Sequence, residues 1–306
     1  MTKVLVTGGA GFIGSHVVDA CLAAGYDVCV VDDLSSGARN NLDTRAKFIE
    51  IDIRSETLTD VFASERPEVV MHLAAQIDVR KSLSDPLFDA DVNVLGTINV
   101  LECCVRHGAK KLIYASTGGA IYGEPAHLPA SEDTPPAPIC HYGVSKLAGE
   151  HYVRLYNALH GLRYTILRFP NVYGPRQQPE GEAGVCSIFA GLMLAGKQPT
   201  LYGHGEPIRD YVYVGDIARG CLLAMTRGDG ETLNLGSGKG TTVRELFDLI
   251  ARYTGYTGGP RLALARPGEV HAIYTTGDRA NTSLGWVPEV TLADGLERTV
   301  DHIRHS

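Results

Sequence analysis

The segment Val4-Leu-Val-Thr-Gly-Gly-Ala-Gly-Phe-Ile-Gly14 constrains this chain more than any other. A short apolar run meets four glycines and then a helical pattern, which reads as strand, tight turn and helix start. That order brings backbone amides and a helix N-terminus to one point, where a pyrophosphate can be held. Gly9-x-Gly11-x-x-Gly14 satisfies the dinucleotide fingerprint, and Gly8 adds an overlapping Gly-x-x-Gly-x-x-Gly reading. The match alone is weak. It gains from Asp32, at the end of a second predicted strand over Asp27–Val31. A carboxylate there accepts hydrogen bonds from an adenosine ribose and repels a 2′-phosphate, which favours NAD over NADP. The bland alternative is a plain turn with a solvated Asp32, and the whole strand–turn–helix–strand context disfavours it. Asp52, with Ile53 after the third strand, could hold the adenine edge or start a helix. The sequence leaves both open.

The pattern of that opening repeats. Strands are predicted at Lys3–Thr7, Asp27–Val31, Lys47–Ile51, Val69–Ala74, Lys111–Ala115 and Tyr164–Phe169. Helical patterns lie between them at Phe12–Ala24, Leu87–His107 and Tyr142–His160. Continuous apolar strands alternating with helices imply a parallel sheet covered on both faces. The expected fold is α/β: a doubly wound Rossmann-type parallel sheet with a smaller, interleaved α/β C-terminal substrate domain. Residues 1–170 are assigned to the dinucleotide-binding domain, rejoined by about 211–235, and 171–306 mainly to the second ligand. Past Asn171, Pro175–Gly184 reads as an excursion from the sheet. Val185–Leu194, Thr242–Tyr253 and Leu292–Ile303 read as helices, and Thr200–Tyr202 and Arg209–Val214 as strands.

A second stretch carries chemistry. Tyr142-Gly-Val-Ser-Lys146 places a phenol and an ammonium four residues apart, on one face of a helix. A free phenol has a pKa of ~10 and is a poor base at neutral pH. A neighbouring ammonium, together with a positive nicotinamide ring, is expected to lower that value. Tyr142 is therefore the candidate acid/base and Lys146 its electrostatic modifier. Such a pair arises often by chance. Ser116-Thr117-Gly118, just after a predicted sheet strand where two ligands should meet, shifts the balance toward function.

Composition narrows the class. A formal charge of −7 argues against nucleic acid as the main partner. The 7 cysteines show neither a C-x-x-C pair nor a metal-like spacing, so no metal is expected. Their odd number and apolar surroundings suggest reduced thiols in a cytoplasmic protein. The glycine-broken N-terminus lacks a basic n-region and reads as a core strand, and no apolar run is long enough to span a membrane.

Taken together, Thr7–Gly14, Tyr142/Lys146, Arg168-Phe-Pro-Asn171-Val-Tyr-Gly-Pro-Arg176 and Arg209-Asp-Tyr-Val-Tyr-Val214 resemble the extended short-chain dehydrogenase/reductase family. Within it the chain resembles NAD-dependent nucleotide-sugar epimerases of the UDP-glucose 4-epimerase type. The likeness continues through Asn234-Leu-Gly-Ser-Gly238, Arg266-Pro-Gly-Glu269 and Leu284-Gly-Trp286. The resemblance implies a UDP-sugar substrate and a retained NAD. The implied cofactor set is Gly8, Gly11, Phe12, Ile13, Gly14, Asp32, Asp52, Ile53, Leu73, Ala74, Ala75 and Asn93, with Tyr142 and Lys146. For the substrate it implies Asn171 on the diphosphate, Arg209 and Arg266 as phosphate clamps, Tyr202 lining the uracil and ribose pocket, and Glu269 accepting from the ribose. The long helices Leu87–His107 and Tyr142–His160 resemble those of a homodimer interface, although covering the sheet would equally explain them.

The pattern departs in two places, one of them Pro170 beside Asn171, where relatives often carry an aromatic pair. The hydroxyl residue that usually assists the tyrosine falls on Gly118, so Thr117, or Ser116 after a small backbone shift, is expected to substitute, the alternative being that Tyr142 works alone. Gly119 and Ala120 stand where related 4,6-dehydratases carry an Asp-Glu pair, and Ala120 where related decarboxylases carry a glutamate. The implied reaction is therefore epimerisation at C4 of a UDP-hexose through a 4-keto sugar. UDP-GlcNAc or UDP-glucuronate epimerisation and a net oxidoreductase are the alternatives.

Overall fold

The structure is a computed structural model that describes residues 1–178, 184–266 and 270–306. Its centre is a seven-stranded parallel sheet. The strands are β1 (Lys3–Thr7), β2 (Asp27–Asp32), β3 (Lys47–Glu50), β4 (Val69–His72), β5 (Lys111–Thr117), β6 (Arg163–Phe169) and β11 (Glu231–Asn234), in spatial order β11-β6-β5-β4-β1-β2-β3. Strand order reverses between β1 and β4, the point at which sheets of this kind form a crevice beyond the carboxyl ends of their strands. The expected doubly wound α/β sheet is what the chain forms.

Both faces are covered because the strand sequences are apolar throughout. Helices α1 (Phe12–Ala23) and α8 (Val214–Ala224) pack on one face, joining Val4, Val6, Met71, Ile113 and Leu167 in one core cluster. On the other face, α2 (Leu58–Glu65), α5 (Gly96–His107) and α6 (His141–His160) cover Leu5, Val70, Leu112 and Ile166. Glycines in left-handed conformation, Gly108 and Gly161, end α5 and α6.

Two predicted elements divide. Leu87–His107 is not one regular helix: α3 (Val79–Ser84) and α4 (Pro86–Ala90) precede a π-helical turn at Asp91–Leu95, and α5 follows. The wider turn is where the Asn93 amide reaches the Gln76 backbone, accepting from its N–H at 2.8 Å and donating to its carbonyl at 2.9 Å. Arg209–Val214 is likewise not one strand. It splits into β9 (Ile208–Arg209) and β10 (Tyr211–Tyr213), and Val214 already belongs to α8. The buried Asp210 carboxylate forces the division by accepting from Ser237 Oγ at 2.5 Å and from Thr275 N at 3.2 Å.

The smaller C-terminal region contains β7 (Asn171–Tyr173) parallel to β10, β8 (Thr200–Tyr202) beside β13 (Arg261–Ala263), and β9 between β12 (Thr241–Thr242) and β14 (Ala272–Ile273). Helices α7 (Val185–Leu194), α9 (Val243–Thr254) and α11 (Leu292–His305) pack together around Phe189, Leu246, Phe247 and Leu296, while α10 (Asp278–Leu284) lies against β11 and α8. Thr242 opens α9 with a capping box that includes Glu245.

One clasp joins this region to the nucleotide end. Arg176 donates to Asp19 Oδ2 at 2.5 Å, to Asn41 O at 3.0 Å and to His16 Nδ1 at 3.2 Å, while His16 Nε2 lies 2.9 Å from Pro175 O. Burial, first, and the Arg176 charge hold the His16 imidazole neutral, with a pKa pushed down to about 4. A neutral ring can donate at Nε2 and accept at Nδ1, as those contacts require.

Candidate active site

The glycine turn leaves no room for side chains. A Cβ on Gly14 would lie 2.0 Å from the Gly8 carbonyl oxygen, and one on Gly8, which has φ +70°, would lie 2.6 Å from Ala74 N. The turn thus presses against the segment after β4, where Leu73, Ala74 and Ala75 form the opposite wall. Phe12 and Ile13 make the first turn of α1 beside it. Thr7 binds the two walls: its Oγ1 lies 2.7 Å from His72 Nδ1 and accepts from Ala74 N at 3.2 Å. That backbone bond to a side chain explains why β4 ends at His72 rather than at the predicted Ala74.

Asp32 closes the nucleotide end. Oδ2 accepts from Ala10 N and Oδ1 from Leu34 N, both at 2.9 Å. Each oxygen retains capacity for a further donor such as a ribose hydroxyl. Burial raises its pKa against those backbone bonds. Asp52 does not start a helix, since α2 begins at Leu58: its Oδ1 accepts from Arg54 N at 2.8 Å in a turn, and the Arg54 guanidinium also grips the carboxylate. The Ile53 side chain is buried and packs against Gly96, leaving its backbone as the part a ligand can meet. These glycines, walls and carboxylates fit a dinucleotide.

At the carboxyl end of β5, side-chain alternation separates the two hydroxyl candidates. Ser116 points away from the crevice and donates to Glu150 Oε1 at 2.7 Å, buried among ion pairs. It is thereby removed from the catalytic candidates. Thr117 faces the other way, accepting from Ala120 N at 3.2 Å. A Cβ on Gly119 would lie 3.6 Å from Asn171 Oδ1 and 3.8 Å from Thr117 Oγ1, so both side chains border this bare glycine.

The first two turns of α6 carry Tyr142, which bonds Thr117, and Lys146. Hydrogen bonding with Thr117 favours the Tyr142 phenolate, but burial outweighs it and raises the phenol above its ordinary value. The lowering expected of this phenol belongs to the site with a nicotinamide ring in place, and burial holds it neutral in the protein by itself. Lys146 is buried too, and burial pushes its pKa down to about 8 against the carboxylates of Asp89 and Glu150. Its Nζ lies 4.9 Å from the centre of the Tyr114 ring.

The second-ligand residues are less closely grouped. Arg266 stacks on the Tyr202 ring with its guanidinium carbon 3.6 Å from the ring centre, and its hydrogen bond lowers the Tyr202 phenol. Arg209, on β9, donates to Ile208 O at 2.9 Å and to His271 O at 3.1 Å. Glu269 lies outside the described residues. Sequence reasoning missed Gln76, Asp89 and Ser145, which surround Asn93, and Arg80, whose charge acts on Tyr202. A polar residue ending a buried apolar run, as in Val69-Val-Met-His72, and Asp89 one helical turn before Asn93 were the available signals.

Comparison with known proteins bears on this arrangement. The model of the NAD dependent epimerase/dehydratase family matches residues 4–236. The UDP-glucose 4-epimerase of Mycolicibacterium smegmatis is 42% identical over 309 residues, covering 99% of each chain. The crystal structure of UDP-glucose 4-epimerase from Thermotoga maritima with UDP-glucose matches with a TM-score of 0.98 at 47% identity, over 99% of both chains. That of the Thermus thermophilus UDP-glucose 4-epimerase in complex with NAD matches with a TM-score of 0.95 at 44% identity, again over 99% of both.

Proposed function

Because the chain belongs to the NAD dependent epimerase/dehydratase family, we propose that it is an NAD-dependent nucleotide-sugar epimerase interconverting UDP-glucose and UDP-galactose at C4. One observation carries the reading. Thr117, Tyr142 and Lys146 stand at the carboxyl edge of the sheet next to the glycine turn, in a chain alike end to end with UDP-glucose 4-epimerases.

When bound, NAD supplies the group that takes a hydride from C4 and returns it, and its positive ring favours the phenolate that the protein alone does not. The protein does the rest. Backbone at Gly8, Gly11 and Gly14 holds the pyrophosphate, and Asp32 accepts from the adenosine ribose. Tyr142 takes the proton of the C4 hydroxyl, with Thr117 hydrogen-bonded beside it. Lys146 keeps its positive charge next to the phenol. Asn171, Arg209 and Arg266 hold the diphosphate and Tyr202 lines the uracil and ribose pocket while the 4-keto sugar turns to present its other face, and Tyr142 then returns the proton to the C4 oxygen.

Purified protein given UDP-galactose is expected to form UDP-glucose with no added reductant and no net NADH. Absence of product from UDP-glucose, UDP-galactose, UDP-GlcNAc and UDP-glucuronate alike would refute the reading, and stoichiometric NADH would point to a net oxidoreductase.

The active form is a homodimer in a reducing, cytoplasmic setting. Leu95, Leu155 and Leu159 are 58%, 47% and 65% exposed along the paired helices, an apolar face that a second copy would cover. All seven cysteines are free and buried. Sedimentation equilibrium is expected to give twice the 32.9 kDa chain mass, and a monomer at micromolar concentration would exclude the dimer.

A further inference from the structure

Asp89, on α4, is a carboxylate with 1% of its surface exposed, lying behind the helix that carries Tyr142 and Lys146. Its Oδ1 accepts from Gln76 Nε2 at 2.8 Å and from Asn93 Nδ2 at 3.2 Å. Asn93 Nδ2 also reaches Ser145 Oγ at 3.1 Å, and Ser145 Oγ donates to the Tyr142 carbonyl at 3.0 Å. A short chain of hydrogen bonds therefore runs from Asp89 to the helical turn between the phenol and the ammonium. Neutral amides would be satisfied equally by an asparagine at this position. Burying a charge costs several kcal/mol unless an opposite charge is near, so the carboxylate calls for a cationic partner.

The cation next along the helix that this chain of bonds reaches is Lys146. The carboxylates whose charge acts on its ammonium are Asp89 from α4 and Glu150 from α6, and the ammonium acts in turn on His72 from β4. The Tyr114 ring from β5 lies against it, 4.9 Å from Nζ to the ring centre. His72 is neutral, its pKa pushed down to about 3 by burial and by Lys146 itself. Glu150 is already gripped by Arg168, from β6, at 2.7 Å and 2.8 Å. Asp89 is the negative charge left over, and it favours the ammonium more strongly than Glu150 does.

We propose that Asp89 is a positioning residue of the reaction: the buried counter-charge that keeps Lys146 an ammonium and, through Asn93 and Ser145, fixes the turn carrying Tyr142. This rests on the epimerase reading, so the test includes an arm that needs no turnover. In the holoenzyme, the pH dependence of Lys146 acetylation, read by mass spectrometry, gives the midpoint of its deprotonation. Asp89→Asn is expected to move that midpoint, and the alkaline limb of kcat, down by about one pH unit. Asp89→Glu, which keeps the charge, is expected to restore both. Asp89→Ser serves for the same readings if the amide variant does not fold. An unmoved midpoint overturns the proposal. So does a kcat reduced equally at every pH alongside a lowered Tm, which is the mark of a merely structural role. A wild-type protein that turned over no UDP-hexose would sink the functional reading and leave the acetylation arm to decide the Asp89–Lys146 relation.

Discussion

Tyr142→Phe is expected to lower the turnover of UDP-galactose by about 10²- to 10⁴-fold, the range for removing a positioned acid/base. Folding should not suffer. Burial disfavours the Tyr142 phenolate, so the hydroxyl is held in the neutral form in the protein alone, and losing it removes only its bond with Thr117. Bound NAD per chain and Tm are therefore expected to stay at wild-type values while turnover collapses. Activity within tenfold of wild type would mean that another group moves the C4 proton.

Arg168→Met carries the largest expected effect on stability. The Arg168 guanidinium forks onto Glu150, with Nε to Oε1 at 2.8 Å and Nη2 to Oε2 at 2.7 Å, and its Nη1 donates to Tyr122 OH at 2.8 Å. Tyr122 in turn donates to Asn234 Oδ1 at 2.7 Å, so one network ties α6, β5, β6 and β11 together. Removing one partner of such a buried pair costs about 3–5 kcal/mol, because a charge is left without compensation. Arg154, still 2.8 Å from Oε2, is expected to hold the loss toward the lower end of that range. Urea unfolding of Arg168→Met and of Arg168→Met with Glu150→Leu checks the argument. The double variant should recover much of the loss, and a double variant no more stable than the single one would contradict it. The pair also sets a pH window. Burial alone would raise the Glu150 carboxyl, but the hydrogen bonds from Arg168 outweigh it and hold it below the usual range. Its contribution is complete above the ordinary glutamate value and is lost as pH falls through the depressed one.

Much of this was legible in the chain because local pattern and tertiary role agree. Lys3–Thr7 and Phe12–Ala23 follow from apolar runs interrupted by glycine, and the parallel strands from their unbroken hydrophobicity. The boundaries that differed were set by side chains reaching across space. Asp210 divides one apparent strand by binding Ser237 and Thr275, 27 and 65 residues away in sequence. Asn93 sits in the π-helical turn because its amide is taken up by the Gln76 backbone. The choice between Ser116 and Thr117 lay beyond the sequence for the same reason, since only the fold reveals which of the two faces Glu150. Helix α8 escaped notice because Val214 continues the apolar run of β10 with no polar residue between them.

The Arg176 clasp has a thermodynamic corollary. A single guanidinium spans α1, the Asn41 carbonyl and the backbone just after β7, so ordering of the sugar-side segment and ordering of the nucleotide-side helix are linked equilibria. Reciprocity then requires that whatever factor one ligand adds to the other's affinity through this joint is matched in return. A second ligand that tightened this joint would tighten the hold on the cofactor by the same factor.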